Sequence, residues 1–340
     1  MRTVARSLLP LAGPQPPGTA HIMRLVLLAM APGMLLQTLF LGPAYLINLG
    51  VALLTALAVE RLVNRARGVS WPGGLGDGSA LVTAALVVMA APPAVSPVII
   101  AAGTALGLLL GKHIYGGLGN NPFNPAMVGY AIILISFPET MAHWPAPPGT
   151  GVDALSGATA LEVMNHRDGI TVADLYQQSP LLGQLGGAYW EWINLAYAAG
   201  GVFLIWRRLI DWRIPAMLLG TLGLLSALYY DSGSSASLGS PSFHWLSGGI
   251  MLAAFFVATD PVSSPTQRQA RLIYAALIGS LIFVIRSWGA YPDGIAFAIL
   301  LANACTPALD RLVRRNATAG QIAPQAGGQI RTQSSDEDVR

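Results

Sequence analysis

The chain has 340 residues, of which 53% are hydrophobic and 10% are charged, and its mean hydropathy is +0.54. Such a small charged fraction cannot cover a water-soluble globule of this length, so the composition excludes a soluble protein and indicates that lipid surrounds the chain. The formal net charge is +3, but the basic residues lie in short clusters between apolar runs. That distribution is typical of membrane topology and not of nucleic-acid binding.

Apolar runs in chain order predict about ten transmembrane helices. A helix needs roughly 20 residues to cross a hydrocarbon core, with about 17 as the lower limit. Four runs meet this length, and they are Ile22 to Leu41, Ala44 to Val63, Trp190 to Trp206 and Ile214 to Tyr230. Shorter runs lie between them, at Ser79 to Ala91, Ser96 to Leu110, Pro125 to Phe137, Trp245 to Ala258, Leu272 to Ile285 and Ile295 to Leu309. The fold class is therefore an all-α polytopic membrane protein.

The basic residues predict the topology. When successive connections alternate between the two sides of the membrane, 17 of the 19 Lys and Arg residues fall on one side and only Arg167 and Arg286 on the other. Basic connections stay in the cytoplasm, so we expect both termini to be cytoplasmic and the long polar loop to lie outside. A cleaved signal peptide is the alternative, but Pro14, Pro16 and Pro17 interrupt its apolar run and its removal would disturb the alternation.

A weak internal repeat divides the chain into two halves. Gly78 to Pro93 is similar to Leu246 to Pro261, and Gly119 to Ala126 is similar to Gly289 to Ala296, in the same order. With five spans per half the second copy is inverted, although small apolar residues also align by chance. The predicted parts are a cytoplasmic N-terminal segment (1–21), a five-helix repeat (22–137), an extracytoplasmic loop (138–189), a second five-helix repeat (190–309) and a disordered cytoplasmic tail (310–340).

The long loop contains the most specific motif of the chain. Asp153 to Thr159, DALSGAT, resembles the D-x-x-[ST]-[GS]-A-T flavinylation motif, in which the threonine hydroxyl forms a phosphoester with FMN. Gly116 to Ala131, GGLGNNPFNPAMVGYA, also resembles the NqrB/RnfD family, whose members are membrane components of the Rnf ion-translocating ferredoxin:NAD oxidoreductase and of the sodium-pumping NADH:quinone oxidoreductase. The resemblance extends from His21 to Leu309, and the chain length favours the Rnf member. Ala160 follows the motif where many relatives have proline.

The resemblance implies a role for five residues of the loop. Thr159 would carry the covalent FMN, and Asp153, Ser156, Gly157 and Ala158 would form the sequence that a flavin transferase recognises. Without the family context, the same residues would be read as an ordinary polar turn.

The resemblance also implies a function. The protein would be a flavoprotein subunit of a translocase in the bacterial inner membrane, with the flavinylated loop periplasmic. It would carry electrons between ferredoxin and NAD and couple their transfer to Na⁺ or H⁺ movement. The ferredoxin and NAD reactions belong to other subunits of that complex, so no catalytic residue is expected here. The expected partners are those flavin and iron–sulfur subunits, the transferase and lipid, with no nucleic acid.

Two interrupted segments, GNNPFNPA and ATDPVSSPT, supply a second candidate site. Broken helices expose backbone groups, which membrane proteins tolerate where those groups are buried in protein or line a cavity. Asn120, Asn121, Asn124, Thr259 and Asp260 are therefore candidates to hold a flavin ring, a second, noncovalent flavin such as riboflavin, or an ion path. Simple helix capping is the rival interpretation. Asp260 is the most suspect, because a carboxylate at membrane depth is costly without a partner, although it could lie at the interface.

The remaining polar residues give no other site. Cys305 is the single cysteine, so this chain alone supplies no disulfide or cysteine-bound cluster, and no histidine pair has metal-ligand spacing. Lys112 and His113 follow a helix and are interpreted as interfacial, with contact to a phosphate or a partner as the alternative. Three isolated histidines are expected to be solvated, namely His143, His166 and His244.

Two hypotheses of other classes stay open at this point. An inverted five-plus-five bundle with broken helices also suits a channel of the urea or ammonium type, or a solute transporter without a redox role. A purely structural assembly component is the third hypothesis. The flavinylation motif separates the electron carrier from both.

Overall fold

A computed structural model describes residues 18–68, 77–145, 159–167, 169–289, 291 and 293–322, with side chains as far as Arg314. The first half contains helices α1 (Thr19–Leu41), α2 (Ala44–Ala66), α3 (Ser79–Ala90), α4 (Pro97–Gly111) and α5 (Pro125–Ser136). Three short helices follow, α6 (Pro138–Ala142), α7 (Ala160–Asn165) and α8 (Val172–Gln178). The second half contains α9 (Trp190–Trp206), α10 (Arg213–Leu228), α11 (Pro241–Trp245), α12 (Ile250–Leu252, continued by a π-turn at Ala253–Val257), α13 (Arg268–Trp288) and α14 (Ile295–Ile322).

Nine of the ten predicted apolar segments each coincide with one helix, and the tenth overlaps two; no β-strand is assigned in the described ranges. By length and composition, five helices of the described part can each cross a membrane: α1, α2, α4 with the turn that follows it, α13, and α14 as far as Arg314. Helices α3, α5 and α10 are shorter but apolar. The prediction of an all-α polytopic membrane protein is confirmed.

Two boundaries differ from the sequence prediction. The segment predicted from Trp245 to Ala258 is split, because α11 ends at Trp245 and α12 begins at Ile250. Helix α14 continues to Ile322, past the predicted end at Leu309 and into the stretch predicted to be disordered. Hydropathy identifies only the apolar part of a helix, so the polar C-terminal end of α14 is not detected by it.

Corresponding helices of the two halves make corresponding contacts. Helix α4 packs against α2 and α5, as α13 packs against α10 and α14. Across the halves, α1 packs against α9, and α5 packs against α14. This is the contact pattern that a two-fold relation between two five-helix units produces, and it supports the repeat seen in the sequence.

Glycines bring the helices into close contact. A Cβ on Gly107 of α4 would lie 2.6 Å from the carbonyl oxygen of Pro125 on α5, and one on Gly129 of α5 would lie 2.3 Å from that of Gly103. A Cβ on Gly200 of α9 would lie 1.9 Å from the carbonyl oxygen of Ala29 on α1. Small residues at helix contacts are the usual means of close packing in a membrane.

Buried amide side chains form hydrogen bonds with backbone groups at the ends of the short helices. Gln37 Nε2 donates to the carbonyl of Met89 at the end of α3 (2.8 Å). Asn194 stands at the start of α12, where Nδ2 donates to the carbonyl of Gly248 (2.8 Å) and Oδ1 accepts from Met251 N (3.1 Å). An unpaired backbone group in lipid costs several kcal/mol, so these amides make the interruptions of α3 and α12 possible.

Candidate functional site

The Thr159 cavity lies between the end of α3, the start of α12 and the loop helix α7. It encloses about 840 Å³ of empty space, including its open mouth. Its walls are mainly apolar and contain two tryptophans, Trp144 and Trp190, whose ring centroids lie 5.3 Å apart. The polar side chains at its surface include those of Tyr130, Thr159 and Asp293.

Thr159 lies immediately before α7 and caps it. Its side-chain oxygen accepts a hydrogen bond from the backbone N–H of Glu162 at 3.1 Å. The other four motif residues, Asp153, Ser156, Gly157 and Ala158, lie outside the described residues. The structure therefore brings one residue of the Asp153 to Thr159 motif, Thr159 itself, to a cavity wall.

Helix α7 is anchored to the body of the protein at its end. Asn165 Nδ2 donates to the backbone carbonyl of Arg286, at the end of α13. Arg167 donates to the backbone carbonyls of Met164, Ser235 and Ser237. These contacts fix the loop helix, and with it Thr159, against the second half of the protein.

An ion pair stands behind one wall of the Thr159 cavity. Arg286 is 1% exposed, and its Nε and Nη2 each donate to a different carboxylate oxygen of Asp293 at 3.1 Å. The remaining Arg286 donors reach the carbonyls of His244 (2.8 Å) and Ser247 (3.1 Å). Two parallel hydrogen bonds make this the strong form of an arginine–carboxylate pair.

His244 is buried, so the expectation that it is solvated is wrong. It is 2% exposed, and its Nε2 lies 2.9 Å from the carbonyl oxygen of Leu238. Burial, with the nearby charge of Arg286, lowers the pKa of His244 to about 3, which keeps the ring neutral. His143 and His166 are exposed, as expected.

The second cavity, the Asp260 cavity, lies between the start of α3, the end of α12 and the turn before α5. It contains about 770 Å³ of empty space, including its open mouth. Four of the five candidates from the interrupted segments line it: Asn121, Asn124, Thr259 and Asp260. Asn120 is exposed and is not part of its wall.

Local hydrogen bonds explain part of this polar set. Asn124 caps α5, with its Oδ1 accepting from the backbone N–H of Ala126 (3.0 Å) and Met127 (3.2 Å), so the capping interpretation holds there. Asp260 accepts from Val262 N at 3.2 Å and from Ser263 Oγ at 3.0 Å. In contrast, the buried Oδ1 of Asn121 has no partner in the described part of the chain.

Lys112 and His113 are buried, so their interpretation as interfacial residues is wrong. Lys112 is 2% exposed and lines the Asp260 cavity, where Nζ donates to Glu60 Oε1 and to Ser79 Oγ, both at 2.8 Å. Asp77 lies 3.6 Å from the same ammonium, and His113 Nε2 lies 3.0 Å from Glu60 Oε1. The sequence offered a signal in Glu60, an acidic residue inside an apolar segment.

Lys112 and Arg286 occupy corresponding places in the two halves. Both are buried cations. Lys112 directly follows α4 and binds Ser79 at the start of α3, whereas Arg286 lies near the C-terminal end of α13 and binds the carbonyl of Ser247, shortly before α12. Each stands beside one of the two cavities, which lie at opposite ends of the α3 and α12 pair.

Comparison with known proteins decides the family. The model of the NQR2, RnfD, RnfE family matches residues 15–319 of the chain. The chain belongs to this family. It is 44% identical over 315 residues to the D component of the ion-translocating oxidoreductase complex of Cellvibrio japonicus, with 86% of this chain and 88% of the relative covered. The protein of the same name from Pseudomonas aeruginosa is 46% identical over 313 residues, covering 87% and 90%. That from Ectopseudomonas mendocina is 42% identical over 323 residues, covering 91% and 94%. The resemblance drawn from the two sequence motifs is confirmed.

Proposed function

We propose that this protein is the membrane subunit of an ion-translocating oxidoreductase complex and carries electrons through FMN esterified to Thr159. The observation that carries the proposal is the position of Thr159 at the wall of a largely apolar cavity. The family and the names of its relatives support the wider role in membrane electron transport.

The surface of the Thr159 cavity suits a flavin ring. Three small residues, Gly249, Ala253 and Ala296, line the cavity together with the aromatic rings of Trp144 and Trp190. Such walls suit a flat, largely apolar ring, and the few polar groups suit its edge.

The chain's own residues would bind and orient the group. Thr159 would supply the attachment oxygen, which can still accept the hydrogen bond from Glu162 N as an ester. The anchors at Asn165 and Arg167 would hold that oxygen at the cavity, and the apolar walls would exclude water from the ring. A bound flavin supplies the electron chemistry itself, while the protein supplies position and electrostatics.

The wider assignment remains a proposal about the complex. Electrons would pass between ferredoxin and NAD through partner subunits, with Na⁺ or H⁺ as the transported ion. The lopsided distribution of basic residues supports cytoplasmic termini in a bacterial inner membrane and a periplasmic loop. The Asp260 cavity is the proposed place for a second, noncovalent flavin or for an ion, because it joins four polar residues from both halves.

The first test is flavin fluorescence of the denatured protein in a gel, with the flavin transferase co-expressed. Thr159→Ala should abolish the fluorescent band. Thr171→Ala is the matched control, because Thr171 caps α8 by the same contact, from Asp174 N at 3.2 Å, and does not line the cavity. It should keep the band.

The alternative outcomes are informative. A band that survives Thr159→Ala would place the covalent flavin elsewhere on the chain. A wild-type protein without any band, beside a positive control for the transferase, would refute the electron-carrier assignment and favour the channel.

A further inference from the structure

The Thr159 cavity has a single carboxylate in its described wall. Asp293 lines it together with apolar side chains and glycines, and no Lys, Arg or His is among the described lining residues. Its side chain is 19% exposed. A charge at an apolar wall is little screened by water, so this carboxylate contributes to the potential inside the cavity.

Arg286 holds the carboxylate from behind. The guanidinium is fully buried, does not line the cavity, and binds both oxygens of Asp293. Gly249 N donates a further hydrogen bond to Asp293 Oδ2 at 3.2 Å. The pair is neutral as a whole, but its negative end faces the cavity and its positive end faces the protein.

The chain is shaped to keep this pair beside Thr159. Gly248 has a φ of +63°, and a Cβ there would lie 2.4 Å from Asp293 Oδ2 and 3.2 Å from Cδ1 of Leu161 on α7. Asn165 ties the end of α7 to the backbone carbonyl of Arg286. The helix that Thr159 caps, α7, and the helix that carries Arg286, α13, are therefore fixed relative to each other.

We propose that Asp293 faces the flavin ring in the Thr159 cavity and lowers its reduction potential, and that Arg286 is the positioning residue that holds the Asp293 carboxylate in place. This inference rests on the proposed flavin at Thr159. A negative charge beside the ring disfavours electron uptake, so the potential is lower with the carboxylate than without it. The carboxylate also offers an acceptor for an N–H group at the ring edge.

The test is a spectroelectrochemical titration of the purified, covalently flavinylated protein. Asp293→Asn keeps the shape of the side chain and removes its charge, so the midpoint potential should shift to a more positive value. Asp293→Glu keeps the charge and should stay nearer the wild type. Asp174→Asn is the control, because Asp174 is an exposed carboxylate on the neighbouring loop helix α8 and lies outside the cavity wall. Its potential should not move.

Asp293→Asn leaves Arg286 buried without its partner and can therefore fold poorly, so a second variant is needed. The double variant Arg286→Met with Asp293→Asn removes both charges, and its potential should still be more positive than that of the wild type, because the lost carboxylate is the nearer group. A fully flavinylated protein with equal potentials in the wild type and in whichever of these two variants folds would overturn the inference and leave the proposed function intact. A wild-type protein without covalent flavin would overturn both.

Discussion

The contact between α1 and α9 predicts that replacing a glycine by alanine lowers stability at that contact, whereas the same replacement at an open helix position does not. Gly200 of α9 faces α1, and a Cβ there would lie 1.9 Å from the carbonyl oxygen of Ala29. That is about 1 Å inside the shortest Cβ contact that real structures show, and the obstacle is backbone, which cannot rotate away. The two helices must therefore separate.

The magnitude follows from two opposing effects. Replacement of a helical glycine by alanine favours the helix by about 0.8–1 kcal/mol. Insertion of a methyl group into a filled contact costs about 1–3 kcal/mol, and more where backbone must move. We expect Gly200→Ala to be destabilised by about 2 kcal/mol, whereas Gly220→Ala in α10, where a Cβ has nothing within 4 Å, should be unchanged or slightly stabilised.

The assay is thermal unfolding of both variants and the wild type in one detergent, followed by the loss of the monodisperse peak in size-exclusion chromatography. The melting temperature of Gly200→Ala should fall by several degrees. Equal melting temperatures for Gly200→Ala and Gly220→Ala would refute the close contact between the halves.

Two further predictions concern buried charges. Lys112→Met leaves the partly buried carboxylate of Glu60 without its ammonium and should cost up to about 3–5 kcal/mol, while the double variant Lys112→Met with Glu60→Gln should recover most of the melting temperature. No recovery would mean that Lys112 acts through other contacts. The folded-state pKa of His244, about 3, is below the unfolded value of about 6.5, so the unfolded chain takes up a proton that the folded chain does not. Stability should therefore fall as the pH decreases below about 6.5, by up to about 1.4 kcal/mol per unit. Between pH 7.5 and pH 5, the melting temperature of His244→Gln should fall less than that of the wild type. Equal decreases would contradict the lowered pKa of His244.

The sequence by itself determined the class of the protein, the apolar segments and the family. These depend on local properties, because the preference of an apolar run for lipid follows from its own residues, and the motif ending at Thr159 is contiguous. Asn124 as a helix cap was also predictable, because the cap and its helix are neighbours in the chain.

Only the tertiary structure decided which polar residues meet. Lys112 and Glu60 are 52 positions apart, and Arg286 donates to the carbonyl of His244, 42 positions away, so no local pattern pairs them. The same reason explains why Lys112 and His244 were expected at an interface or in solvent. A charged residue at the end of an apolar run looks like an interfacial residue until helices from other parts of the chain close around it. The meeting of Thr159 and Asp293 in the walls of one cavity likewise depends on separate parts of the chain folding against each other, which hydropathy and spacing do not specify.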